Sequence, residues 1–383
     1  MTALFPILSL FLAFSTATST PPDSVDAWLQ RAQNAVACGD WNGSVIWYGR
    51  VIETDSLSAE AYRGLGQTYL FMGIPREARR FLSRSLELAD VWETRLALGK
   101  LSFEMEEREA AQAHLEAVIK EQPRSTEALG LLGELALEAD DFQTAQFYFR
   151  QILLIEGETE KTLTDLGVVA QRAGETRQAI EFFRLAAKIS PMSLSAHYNL
   201  AIAQAQAGNF HEALLAVNNA LEIQPDDLAC LRFLGVLYFE QDVCEEAIEA
   251  FQKVLFQDPL DLEVRIGLAS CHHALGDYDE AILELRTIVT LDETNYDILL
   301  LLSNILQEKG DYEEAAHYSA RAVRLAPDRP DAYYLLGLAH QKLGRQKEAT
   351  EAFQTLEELR ERDRGMAAGD SLSGTPPSDG SPR

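Results

Sequence analysis

Cys271, His272 and His273 stand side by side, and thiolate and imidazole are common zinc ligands. Neighbours on a helix point about 100° apart, which suits one shared ion poorly. His272 also falls where Tyr69 and Tyr238 stand in related segments, as does His340. Core filling is therefore the better reading of these imidazoles, and no metal or cofactor is expected. Four cysteines occur, at 38, 230, 244 and 271. Cys38 is far from the rest. Cys230 and Cys244 belong at opposite ends of one helical hairpin, too far apart for a disulfide. A bond from Cys244 to Cys271 is conceivable, but buried thiols are the expectation. No phosphate loop, nucleophile elbow, dinucleotide glycine fingerprint or zinc-protease helix is present. Carboxylate pairs abound, but on solvated helix faces. The expectation is a protein without catalysis of its own.

The elements that must carry any site are helices. Ala, Leu, Glu and Gln dominate the middle of the chain, which favours helix. No stretch alternates as an exposed strand does. The formal net charge is −27. Such a field repels nucleic acid and anionic membrane surfaces, and loosely favours basic partners.

The ends differ from the middle. An apolar run from Ala3 to Phe14 precedes the small residues Ser15, Thr16 and Ala17. It predicts a signal peptide over 1–17 and a linker over 18–24. The run is short of the roughly 20 residues that span a bilayer, and no other segment is apolar enough, so the mature chain is expected to have no membrane span. Export to the periplasm or beyond follows from the leader; the alternative is a cytoplasmic protein. Gly, Ser, Pro and Asp dominate 363–383, which predicts a disordered tail.

Between the ends the sequence repeats itself. Leu65, Leu98, Leu132, Leu166, Leu200, Leu234, Leu268, Leu302 and Leu336 are 34 residues apart, with one step of 33. A small residue follows each, as in Gly66, Gly133, Ala201, Gly235 and Ser303. Twelve residues further on comes alanine every time, from Ala78 to Ala349. A small side chain lets a second helix cross close to the first, with the alanine as its expected contact. Large residues such as Leu82, Phe149 and Phe251 recur four beyond the alanine and are expected to close each hairpin core. Gly39-Asp40-Trp41, Gly208-Asn209-Phe210, Gly276-Asp277-Tyr278 and Gly310-Asp311-Tyr312 predict a left-handed glycine cap followed by an Asp or Asn that starts the next helix. Pro123, Pro191, Pro225, Pro259 and Pro327 end second helices. A weaker copy, with Arg31 where leucine belongs, lies upstream.

These registers resemble the tetratricopeptide repeat, over all of 25–362. The resemblance implies an all-α solenoid: a right-handed superhelix of ten helical hairpins starting near 25, 59, 92, 126, 160, 194, 228, 262, 296 and 330. It implies that first helices line a concave groove, through their positions 2, 5, 6, 9, 12 and 13. On those positions Tyr198, Asn199, Ile202, Arg232, Phe233, Val236, Phe239 and Ile266 form a candidate partner-binding patch. Apolar bulk on a half-wet face suggests docking, and Arg232 would pair with a ligand carboxylate. Packing between repeats is the competing reading. Acids at position 2, such as Glu60 and Glu127, complement the helix dipole. A chaperone-type carboxylate clamp is not matched: only Asn199 fits its slot, among Thr164, Val168, Ala229 and Phe233. No asparagine ladder extends beyond Asn199 either.

The function expected is therefore a non-catalytic scaffold holding a protein or peptide segment in its groove, in envelope or export complex assembly. The alternatives are a cytoplasmic adaptor in signalling, or a regulatory subunit of an enzyme such as a glycosyltransferase.

Overall fold

The computed structural model describes residues 24–372. The expected leader, all of the linker but Ser24, and 373–383 lie outside the described residues. Twenty helices and no strand occur within them, so the fold is an all-α solenoid. The chain divides into two units between Phe182 and Phe183.

The first unit holds α1 (Val25–Ala37), α2 (Trp41–Thr54), α3 (Ala59–Phe71), α4 (Pro75–Leu88), α5 (Trp92–Glu104), α6 (Arg108–Glu121), α7 (Thr126–Glu138), α8 (Phe142–Glu156) and α9 (Glu160–Arg172). The division falls inside α10 (Thr176–Ile189). The second unit holds α11 (Leu194–Gln206), α12 (Phe210–Ile223), α13 (Leu228–Phe239), α14 (Cys244–Gln257), α15 (Leu262–Leu275), α16 (Tyr278–Leu291), α17 (Tyr296–Lys309), α18 (Tyr312–Leu325), α19 (Pro330–Lys342) and α20 (Gln346–Leu372).

Each hairpin turn is built the same way. After α1, the Gly39 N–H donates to Val36 O and the Asp40 N–H to Ala35 O. These two bonds satisfy carbonyls that the helix end would orphan, and they need a left-handed residue between them. Gly39 supplies it at φ 74°. The same conformation recurs at Glu106, Asp140 and Asp242, with φ of 60°, 57° and 59°. Tertiary packing thus imposes the turn even where glycine is missing.

Side-chain caps are most regular at the first helices. Ser24, Ser58, Ser125, Thr159, Ser193, Asp227, Asp261 and Asn295 each precede a first helix and accept a backbone N–H of its first turn. The expected caps of second helices are less uniform. Asp40 and Asp141 do accept from Gly43 and Thr144. Asn209, Asp277 and Asp311 make no cap bond; they turn to Gln204, His272 and Lys309 instead.

The core of each hairpin rests on a small-against-large contact. The alanines Ala78, Ala111, Ala145, Ala213, Ala247, Ala281 and Ala315 are fully buried. The small residue of the first helix, however, faces the large residue four beyond the alanine. A Cβ on Gly133 would lie 2.8 Å from Phe149 Cζ, and one on Gly99 2.8 Å from Leu115 Cγ. Gly66 with Leu82 and Gly337 with Phe353 repeat the arrangement.

The last helix overlaps the expected tail. α20 runs to Leu372, ten residues into the segment whose composition predicts disorder. No proline comes before Pro376 to end the helix sooner.

Candidate binding groove

The predicted patch lies in the second unit and is mostly packing surface. Tyr198 meets Phe233 edge to face, with centroids 5.9 Å apart, and both pack on the cluster around Ala201 and Val217. Phe239 packs on the core of α14 and α15, and Ile266 on the core around Ala281 and Leu299. Burial and an adjacent Cys230 and Asp227 raise the Tyr198 phenol above its ordinary value. Arg232 is not free to read a ligand carboxylate. Its Nε lies 2.6 Å from Asp261 Oδ2, and its Nη2 3.6 Å from Asp258. The Nε–Oδ2 pair lacks hydrogen-bond geometry and acts as an ion pair. Asp261 Oδ1 meanwhile caps α15 by accepting from Val264 N–H at 3.1 Å. Arg232 therefore ties one hairpin to the start of the next. What packing leaves open is Val236, 44% exposed, with half-buried Asn199 and Ile202 beside it in register.

A recess lies in the first unit, away from the predicted patch. A cavity of 610 Å³ opens on the first-helix face, across α5, α7 and α9. Phe103, Leu131 and Ile152 make its apolar lining. Gly130 makes the room. A Cβ there would stand 3.8 Å from Ile152 Cδ1, an ordinary contact, so packing does not demand glycine. The corresponding positions elsewhere carry Arg63, Leu96, Thr164, Tyr198, Arg232 and Ile266.

The rim is charged. Lys100 pairs with Glu127. Glu104, Glu134, Glu156, Lys161 and Asp165 complete it. Asp165 is half-buried and has no hydrogen-bond or ion-pair partner among the described residues. Burial pushes its carboxyl up to about 6; Lys161 pulls it down, and Glu134 and Glu160 push it further up. A desolvated carboxylate without a partner lowers stability and is the kind of group that function retains. The signal was legible in outline: glycine at a position otherwise held by bulk, followed one repeat later by an aspartate on the same face.

The remaining chemistry-bearing residues resolve into packing. Cys230, Cys244 and Cys271 are buried and free, and Cys38 is exposed and free. Burial and then Cys244 nearby push the Cys271 thiol up to about 12, which makes it a poor nucleophile. His272 is nearly buried against Asp277, and His273 contacts Glu308 at 2.7 Å. Among the described residues no group of three His, Cys, Asp or Glu is placed to hold a metal ion. No described helix is long and apolar enough to cross a membrane.

Stacked helical hairpins with an open first-helix face define the class: an α-solenoid of the protein-interaction type. Models described as tetratricopeptide repeat match residues 238–305 and 275–317, and residues 96–153 and 300–364. A model of the TT21 fifth ARM repeats domain matches residues 126–225. The chain is similar to the C-terminal part of a TPR repeat-containing protein from Cytophaga hutchinsonii, with 15% identity, TM-score 0.53, and coverage of 63% of this chain and 99% of that one. It is also similar to a tetratricopeptide repeat protein from Parabacteroides merdae (18%, TM-score 0.48, 65% and 98%). PilW, a widely conserved type IV pilus biogenesis factor, is a third (20%, TM-score 0.47, 52% and 93%). No curated protein matches the chain. The chain belongs to the tetratricopeptide-repeat family.

Proposed function

We propose that the protein is a non-catalytic scaffold that holds an extended segment of a partner protein against its first helices. The observation that carries this reading is the recess across α5, α7 and α9, which has an apolar floor and an unpartnered carboxylate at Asp165. α5 and α7 touch one another there, and α9 completes the lining, so an extended chain crosses several repeats and meets side chains at fixed spacing. In the second unit, Asn199, Ile202 and Val236 are a second contact strip. Photo-crosslinking in cells from a probe at Leu131, with identification of the captured partner, tests the reading. Failure to crosslink from Leu131, with capture intact elsewhere, refutes the first-unit site.

The setting proposed is envelope or export complex assembly, and it rests on the apolar leader from Ala3 to Phe14. One observation favours a cytoplasmic adaptor instead: Cys38 is exposed and unpaired, a state at home in a reducing compartment. N-terminal sequencing of the mature protein from fractionated cells separates the two. A start within 18–24 supports export, and an intact Met1 supports the adaptor.

A further inference from the structure

The recess in the first unit has a chemistry that selects what enters it. We infer that its occupant is a lysine or arginine side chain of the partner segment, stem on the apolar floor and cationic head at the Asp165 carboxylate. This rests on the scaffold reading above and names the chemistry it uses.

The cavity of 610 Å³ is ample for one long side chain and the backbone that bears it. Phe103 and Leu131 line it and suit the methylene stem that both basic side chains bury while their charge stays polar-solvated. Gly130 leaves the entry open. Once Lys100 is taken by Glu127, the rim retains Glu134 and Asp165 against Lys161, besides acids further out. An acidic side chain would be repelled there. A purely apolar one would strip the remaining water from Asp165 and leave it unpaired, which is costly. A metal ion lacks a ligand set, because no three candidate ligands converge among the described residues. Only an apolar stem that ends in a cationic head satisfies both the floor and the carboxylate. Arginine adds the option of a two-point contact to the carboxylate.

The test is selection of phage-displayed random dodecapeptides on the full-length protein, followed by fluorescence anisotropy of the enriched peptides. Binding is compared for the native chain, Asp165→Asn, and Gly130→Leu, which fills the recess. Thermal melts establish that both variants fold. If the inference holds, the peptides share one Lys or Arg. Replacing it with norleucine weakens binding by about tenfold or more, the range for a charge-assisted contact. Asp165→Asn costs a similar factor, and the two losses do not add. Peptides blocked by Gly130→Leu but indifferent to norleucine and to Asp165→Asn would overturn the basic occupant and leave the groove standing. Peptides indifferent to all three changes would remove the groove as well. Spermidine displacing the peptides at micromolar concentration, with no peptide requirement for Lys or Arg, would assign the recess to a free polyamine and overturn the inference.

Discussion

Phe251 fills the space that a side chain on Gly235 would need. A Cβ built on Gly235 overlaps ring atom Cε1, and one on Gly267, from the next hairpin, lies 2.9 Å from Cε2. The ring is therefore held between two glycines of successive repeats, and it is only 2% exposed. Such a ring has nowhere to go. Gly235→Ala is expected to destabilise the second unit by about 2 kcal/mol, within the range for overpacking a filled core. Phe251→Leu alone is expected to cost a similar amount by leaving a cavity. Combined with Gly235→Ala it should cost less than the sum, because the methyl group then occupies vacated space. Urea midpoints of the four proteins measure this coupling, and strict additivity would show that the two residues do not share the space.

The turns offer a gain in stability. Glu106 sits at φ 60°, where a side chain crowds the following carbonyl and costs about 1–2 kcal/mol. Seven sister turns use glycine. Glu106→Gly is expected to raise the stability of the first unit by about 1 kcal/mol, the strain relieved less the added chain entropy. Asp140→Gly should gain less, since aspartate tolerates this conformation better. Denaturant midpoints rank the two, and a loss on Glu106→Gly would mean the turn is not left-handed in solution.

The fold could be read from the sequence because hairpin packing repeats. A 34-residue period with a small residue, an alanine and a large residue in phase leaves one architecture for the chain. What periodicity could not say is which side chain each small residue faces. That depends on the direction side chains lean along a helix, which put Phe149 rather than Ala145 over Gly133. The site was less legible for a related reason. Large groups such as Tyr198, Phe233 and Phe239 look like a docking patch in a list of positions, yet in three dimensions they are half-buried against the cores of their own and neighbouring repeats. A recess is made by what is missing: Gly130 stands where other repeats carry bulk, but only the fold puts Ile152 and Leu131 around it.

Arg232 yields a prediction opposite to the one its position suggested. Asp261, whose side chain is 6% exposed, faces the guanidinium and caps α15 at the same time. Arg232→Ala leaves that carboxylate without its cation and is expected to cost about 1–3 kcal/mol. Amide exchange should accelerate first in α15, where the cap is shared. Asp261→Asn keeps the cap acceptor and should cost less. If Arg232→Ala left exchange in α15 unchanged, the ion pair would carry no structural role, and the residue would return to the candidate ligand contacts.

Exchange should also be uneven at the start of the first unit. In α1 only Ala32 is buried, and Arg31 stands where other repeats have leucine, its guanidinium 5.0 Å from the Trp47 ring. A cation over a half-buried indole contributes about 1 kcal/mol, less than a buried leucine would. Amides of α1 are therefore expected to exchange sooner than those of α7, which buries Leu129, Leu132 and Leu135. Arg31→Leu should slow exchange in α1 and leave α7 unchanged. Equal protection of both helices in the native chain would contradict this account of the weak first repeat.

Asp165 links stability to pH in a direction that carboxylates seldom show. Its folded value, about 6, lies well above the ordinary aspartate value, so the folded state holds a proton more tightly than the unfolded chain does. Stability from this group is then fully present below about pH 4 and is lost as pH rises through about 6. The groups that face it from its own helix are Lys161 and Glu160, the first lowering and the second raising its value. From the packed helices come Glu127 and Glu134 of α7, Lys100 and Glu104 of α5, and Glu156 of α8. Asp165→Asn removes the charge and keeps the shape. At pH 8 it is expected to stabilise the first unit by about 1–2 kcal/mol, after discounting for partial solvent screening. At pH 3.5, below the unfolded value, the variant and the native chain should be nearly alike in stability. Denaturant midpoints of both proteins across this pH range measure the difference. A variant that is less stable at pH 8 would mean that Asp165 already has an internal cationic partner, and that no charge is waiting in the recess.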